Sequence, residues 1–326
     1  MRRRQLLQML GALSVSVPLR SAGQSANLPR VGFLSSEGLR PRLEPFIQGL
    51  RDAGYFQGKN IIVDARFAPA GKSEQLDALA AELVKNRVRV IVAPTNNDIE
   101  AARRATSTIP IVMVVAGEPI REGFVRSYAR PGGNVTGQAW AFGPEITAKQ
   151  VELLAEMLPG LERLAGLVDP GFPITEPYWK AAQAAAAARA IRTATYEVRS
   201  PADFDGAFQA MQRDRMGAVL VFAGPLMLSR LQRIVDLGMQ TRLPQMFGAH
   251  SEAVDLGGLV SYAPDLPTSY RLSARYVDRI LRGAKPADLP VEQPDQIALR
   301  INLRTAKALG IVIPRSMLVR AEKVIE

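Results

Sequence analysis

Few side chains in this sequence can do acid–base, nucleophilic or metal chemistry. The 326 residues contain no cysteine and a single histidine, His250. Without cysteine there is no thiol nucleophile, no thiolate metal site and no disulfide. A Ser-His-acid relay would have to assemble around the one loop that holds His250, and no Gly-x-Ser-x-Gly elbow presents a serine to it. Gly71-Lys72-Ser73 ends like a phosphate-binding loop, but the glycine required five residues earlier is Arg66. No acidic run has calcium-loop spacing, so no metal and no cofactor are expected. What remains are isolated carboxylates, chiefly Glu118 and Glu252, which can accept charge-assisted hydrogen bonds from an amine. This poverty of catalytic groups points to binding without catalysis. A hydrolase or lyase that uses Glu118 or Glu252 as acid and base is the enzymatic alternative.

A small carboxylate buried by a closing cleft needs donors, because an unpaired buried charge is strongly unfavourable. Asn97 or Asp98 reads as the N-cap of a helix beginning near Ile99, so the amides of residues 95–97 and the Thr95 hydroxyl form a candidate anion site. The other candidate ligand-binding residues are Ser35, Ser36, Asn96, Gly117, Glu118, Ala223, Gly224, His250 and Glu252, all in small polar loops that follow apolar runs. Glu252 is the preferred partner for a ligand amine. Trp140 and Tyr262 could stack on an aromatic ligand, although packing residues with a satisfied polar tip are the commoner case. Arg66 could bind a carboxylate, although a solvated strand end is the favoured reading.

The elements that must position these loops alternate short β-branched runs with amphipathic helical stretches, the pattern of an α/β fold with parallel sheets covered by helices. Strands are expected at 31–34, 61–66, 88–93, 109–115, 164–168, 194–198, 218–222, 245–247, 259–262 and 297–301. Helices are expected at 42–53, 73–86, 98–106, 146–157, 201–213, 228–237 and 269–282. In open sheets of this kind ligands bind beyond the carboxyl ends of the strands, which is where the candidate loops fall. The rhythm breaks at Arg130-Pro131-Gly132-Gly133-Asn134-Val135-Thr136-Gly137, which is too rich in Gly and Pro to continue a strand or helix and is read as leading into a crossing between lobes. The length favours two lobes. Residues 27–138 with 257–289 are assigned to lobe 1 and residues 139–256 with 290–326 to lobe 2. Three crossings would then join them, the last through Pro286, Pro290 and Pro294.

Residues 1–26 are read as a signal peptide: Arg2, Arg3 and Arg4 precede an uncharged apolar run from Leu6 to Leu19 that is too short and interrupted to span a membrane. Arg3-Arg4-Gln5-Leu6-Leu7 also fits the twin-arginine pattern, so both the Sec and the twin-arginine routes stay open. These residues hold four arginines and no acid, so the formal charge of +10 falls to +6 on their removal. The remaining basic residues are scattered and not interleaved with aromatics, which argues against a nucleic-acid partner. With 47% hydrophobic and 22% charged residues, the chain is neither disordered nor a polytopic membrane protein.

Several blocks in fixed order carry a family resemblance. They are Gln48-Gly49-Leu50-Arg51 with Gly54-Tyr55 and Gly58-Lys59-Asn60-Ile61, the run from Ala105 to Val112, the run from Ala129 to Gly137, the run from Gly283 to Pro294, and Ile301 to Gly310 with Ile313-Pro314. Together they resemble the ABC-type substrate-binding proteins related to the bacterial tryptophan and tyrosine uptake binding proteins, over nearly all of the chain after residue 26. The resemblance implies a two-lobed periplasmic binding fold like that of the branched-chain amino-acid binders. It implies a small amino-acid-like, aromatic or carboxylate ligand, an ABC permease and its ATPase as partners, a periplasmic location and a monomer. A sensor that docks on a membrane receptor is the alternative within this fold. The chain departs from the family in two candidate loops, with Gly117-Glu118-Pro119 in place of Gly-Asp-Pro and Pro94-Thr95-Asn96-Asn97 in place of a Gly-Thr-rich loop.

Overall fold

The computed structural model describes residues 28–69, 72–140, 142–172, 175–293 and 297–326. The expected signal peptide, residues 1–26, lies outside them. The first sheet is built from β1 (Arg30–Ser36), β2 (Ile62–Ala68), β3 (Val90–Val92), β4 (Ile111–Ala116) and β5 (Val135–Ala139). Its strands are parallel, in the order β2-β1-β3-β4-β5. Helices α1 (Leu43–Asp52), α2 (Leu76–Lys85) and α3 (Asn96–Ala105) connect them. After β5 come α4 (Glu145–Met157), β6 (Arg163–Val168), α5 (Glu176–Ala187), β7 (Arg192–Glu197), α6 (Asp203–Arg213), β8 (Ala218–Val221), α7 (Pro225–Ser229), α8 (Leu231–Gln240), β9 (Gln245–Phe247) and β10 (Val260–Pro264). Then α9 (Leu266–Leu281), β11 (Ile297–Asn302), α10 (Leu303–Leu309), α11 (Arg315–Arg320) and β12 (Lys323–Ile325) complete the chain. The second sheet runs β12-β11-β10-β9-β8-β6-β7, parallel except where β11 meets β10.

Strands β1, β3 and β8 are buried along nearly their whole length, as strands covered on both faces must be, and each sheet therefore sits between two apolar cores. In the first lobe Phe33 of β1 packs on Phe46 of α1, with ring centroids 5.5 Å apart. Behind them α9 lies so close to α1 that a Cβ at Gly49 would run into the Arg271 carbonyl. In the second lobe Trp179 of α5 covers Gly166 of β6 and donates its indole N–H to Thr195 Oγ1 at 2.8 Å. The bulky ring is thus buried with its polar atom satisfied. Strand β7 is exposed or half-buried except at Tyr196, as suits an edge strand.

Four details correct the expectations. The Gly- and Pro-rich segment does continue the sheet: residues 135–139 form β5, where Gly137, at φ 131°, lets the chain approach Met113 beside an irregularity in the β4–β5 register. The expected helix 228–237 is two helices, α7 and α8, broken at Arg230. The strand at 259–262, assigned with the first lobe, pairs with β9 and β11 in the second sheet. The Gly257-Gly258 turn is tight enough to return the chain against Phe247 of β9, and a Cβ at Gly258 would come within 2.6 Å of that ring. The crossing back to the first lobe therefore falls between β10 and α9, whose Tyr270, Ala274 and Val277 join the core against β1 and β4. Residues 290–292 also stay with the first lobe: the Val291 N–H donates to the Tyr128 carbonyl and the Ala139 N–H to the Glu292 carbonyl. The chain thus passes from the first sheet to the second after β5, returns to the first lobe between β10 and α9, and belongs to the second sheet again from β11.

Candidate functional site

The carboxyl ends of β1 and β3 in the first lobe approach those of β8 and β9 in the second. From β1 the chain enters a 3-10 turn, Glu37–Arg42, that leans onto α7 of the other lobe. Leu39 of this turn is buried among second-lobe side chains, and a Cβ at Gly38 would collide with the Pro225 carbonyl. Arg42, at the end of the turn, reaches across the interface with its side chain only 4% exposed. Its Nη2 lies 2.5 Å from Glu252 Oε1 and 3.4 Å from His250 Nδ1. The guanidinium sits 5.9 Å from the centre of the buried Tyr270 ring. Because arginine only donates, His250 Nδ1 is the acceptor and the imidazole proton is on Nε2.

This interface holds an unusual number of polar atoms without a directed partner. Among the described residues, Ser36 Oγ, Arg42 Nε, His250 Nε2, Ser251 Oγ and both Glu252 carboxylate oxygens are buried and make no hydrogen bond. The Arg42–Glu252 approach is short but misaligned, so it is a charge contact and not a bidentate pair. Native interiors leave few such atoms, and a cluster of them calls for an explanation. Burial lowers His250 to about 4, the nearby Arg42 charge adds to this, and the attraction of Glu252 together with a weak approach to the Gly224 backbone restores only part of it. The ring is therefore neutral at pH 7.

Next to this cluster, Asp98 is fully buried and accepts from Ser35 Oγ at 3.1 Å, Thr95 N–H at 3.0 Å and Thr95 Oγ1 at 2.7 Å. Burial pushes its carboxyl up to about 6 even though these three donors favour the anion. The N-cap of α3 is thus Thr95, with Asp98 reaching back to it as the third helical residue, in place of the expected Asn97 or Asp98. The Thr95 amide and hydroxyl, expected to hold a ligand carboxylate, already serve Asp98. Asn96 is likewise engaged, exchanging two hydrogen bonds with the Gly117 backbone. Asn97 is exposed, and so is Glu118, which pairs with Arg121 at 2.7 Å.

Ala223 and Gly224 lie at the end of β8, close to Phe172 and to the carboxylate of half-buried Asp169, which burial raises. Trp140 and Phe142, on the first crossing, pack edge to face at 5.6 Å, and Tyr178 donates to the Phe142 carbonyl. Burial pushes Tyr178 up to about 12. A small cavity lies between Trp140, Phe142, Pro264 and Ser269 at the crossings. Tyr262 packs against the second-lobe core. Arg66, half-buried, pairs with buried Asp64 and exposed Glu82. A larger groove lined by Leu158, Arg163, Arg215 and Val312 opens at the opposite, amino-terminal ends of β6 and β8, away from every residue above. The structure therefore brings Ser35, Ser36, Thr95, Gly224, His250 and Glu252 to one interface and leaves Asn97 and Glu118 exposed. Sequence reasoning missed Arg42, Ser251 and Tyr270. The only local signal for Arg42 was its position just after the first strand.

The model of the family described as ABC transporter substrate binding protein matches residues 31–325. The chain belongs to this family. As a substrate-binding protein of the ABC transporter family it is grouped with solute binders and not with enzymes. A curated relative, a tyrosine-binding protein of Clostridioides difficile, is 22% identical over 266 residues, covering 82% of this chain and 75% of the relative. Among solved structures, a conserved domain protein of Vibrio cholerae is 26% identical with a TM-score of 0.78, covering 91% of this chain and all of the other. An ABC domain from Streptococcus pneumonia in complex with L-Trp is 25% identical with a TM-score of 0.76, covering 92% of this substrate-binding protein and all of the other. These neighbours share the two-lobed architecture. Among the described residues no helix is long and apolar enough to cross a membrane.

Proposed function

We propose that this protein is the periplasmic solute-binding component of an ABC importer, exported by the signal peptide at residues 1–26 and acting as a monomer. It captures a small amino-acid-like or aromatic carboxylate ligand between its lobes and delivers it to a permease driven by an ATPase. The observation that carries the reading is the set of buried, undirected polar atoms from both lobes at the strand ends, centred on Arg42, His250 and Glu252. Groups of both charges at one interface suit a ligand that carries both, and a ligand shifts closure only through contacts it makes better in the closed state. The tyrosine-binding relative and the neighbour in complex with L-Trp support the same ligand class. Trp140, Phe142 and Tyr178 at the crossings supply an aromatic wall for a ring.

The test is a thermal-shift and calorimetric screen of the chain from residue 27, using the proteinogenic amino acids and simple aromatic and aliphatic carboxylates. A ligand at one hundred times its dissociation constant adds about 2.7 kcal/mol of stability, a shift well within reach of the assay. At least one amino acid or aromatic acid is expected to bind. Binding by none of them, with turnover or a receptor domain as partner, would reject the reading.

A further inference from the structure

We propose that Arg42 is the anion anchor of the ligand site and that Glu252 is a built-in competitor, so that a carboxylate-bearing ligand enters by taking the guanidinium from Glu252. The inference rests on the reading of the interlobe surface as a ligand site and goes on to name the group that fixes the ligand. Arg42 is nearly fully buried and permanently charged, so it requires an anion in the closed protein. Glu252 supplies one, but poorly. Its Oε1 approaches Nη2 at 2.5 Å without hydrogen-bond geometry, while Nε on the same edge of the guanidinium has no hydrogen-bond partner. That edge presents two parallel donors, and a free carboxylate can take both where Glu252, tethered to the other lobe, takes neither well. Ser36 Oγ and Ser251 Oγ are further unpartnered hydroxyls at the ends of β1 and β9 on this interface.

The neutral state of His250 matters to the exchange. With its proton on Nε2, the ring adds a donor without adding a second positive charge beside Arg42. The Glu252 side chain is about a quarter exposed through its stem while its carboxylate oxygens are buried, so once displaced the carboxylate must meet a cationic group on the ligand or turn outward to water. The charge count selects the ligand. A zwitterion replaces one internal pair with two pairs and leaves the interface neutral. A monocarboxylate takes Arg42 but leaves Glu252 unpaired.

The probes are L-tryptophan, indole-3-propionate, which lacks the amine, and tryptamine, which lacks the carboxylate. They are titrated calorimetrically into the wild type, Arg42→Gln, Glu252→Gln and the charge-swapped Arg42→Glu/Glu252→Arg protein. Small-angle scattering of the same four proteins without probe gives the radius of gyration. Both single variants are expected to open the unliganded lobes, and the swap to close them again. Arg42→Gln is expected to weaken L-tryptophan roughly 30-fold or more, because a buried charge partner is removed. Glu252→Gln is expected to tighten indole-3-propionate by roughly tenfold while L-tryptophan weakens, reversing the preference between them. An Arg42→Gln protein that binds as well as wild type overturns the anchor and leaves the solute-binding reading intact. If another amino acid proves to be the wild-type ligand, that compound and its deaminated analogue replace the indole pair. If the wild type binds no small molecule, the solute-binding reading fails, and unchanged radii in both single variants separately overturn the interlobe pair.

Discussion

Two buried ionisable groups on either side of the interface give opposite pH dependences that nearly cancel in the wild type. His250 in the second lobe is lowered from 6.5 to about 4 by burial. Its contribution is whole above pH 6.5 and is lost as pH falls toward 4, because the unfolded chain takes up a proton that the folded one excludes. Asp98 in the first lobe is raised from 3.8 to about 6 by burial. This group disfavours the folded state above pH 6, and the penalty is relieved as pH falls toward 3.8. Between pH 7 and pH 4.5 linkage gives a loss of about 2 kcal/mol from His250 and a gain of about 2 kcal/mol from Asp98. The assay is urea unfolding of wild type, His250→Asn and Asp98→Asn at the two pH values, with scattering to follow opening. Relative to wild type, His250→Asn is expected to gain about 2 kcal/mol on acidification and Asp98→Asn to lose about 2 kcal/mol. Should the lobes unfold separately, each change appears in the transition of its own lobe. Opening alone can hydrate His250, in which case its share is capped by the free energy of closure and shows as a larger radius at pH 4.5. The reasoning is refuted if both variants keep the wild-type dependence in both measurements.

Two glycines yield further expectations. Gly38→Ala sets a methyl group against the Pro225 carbonyl of the other lobe, so the lobes should be held apart. Scattering should report a larger radius with unchanged circular dichroism, and any ligand found for the wild type should bind roughly tenfold more weakly or worse. Gly49→Ala sets its methyl group against the Arg271 carbonyl inside the first lobe, and overpacking of this kind lowers stability by about 1–3 kcal/mol. Urea unfolding should register that loss in the first lobe with lobe opening unaffected, which separates packing within a lobe from packing between lobes.

The strands and helices were legible because their signals are local. Val90–Val92 and Ala218–Val221 are short apolar runs that can be buried only as central strands, and Leu43–Asp52 keeps Phe46, Gly49 and Leu50 on one face. Sheet membership was less legible. Nothing in residues 259–262 says which sheet they join, since an apolar strand suits either, and the decision rests on how tightly Gly257-Gly258 turns the chain against Phe247. At β5 the glycines read as a break because the pattern of residue types carries no information about the close backbone approach that Gly137 permits.

The candidate site shows the same divide more sharply. Loops at strand ends can be found from the strands, so Ser35, Ser36, Thr95, His250 and Glu252 were named. Their partners could not be, because each partner depends on a contact across chain separations that no local pattern encodes: Arg42 and His250 are 208 residues apart, and Ser35 and Asp98 are 63 apart. Thr95 illustrates the consequence. As a strand-end threonine before a helix it was a sound donor for an anion, yet the anion it serves is Asp98, three residues along in its own helix. Glu252, the expected partner of a ligand amine, already faces an arginine of the other lobe. Both cases follow from one physical rule, that a buried charge is matched before a ligand arrives. A ligand of this interface must therefore compete with partners the protein already holds. Asp98, with three donors in good geometry, is a poor target for such competition, whereas Glu252, held by one misaligned contact, is an easy one.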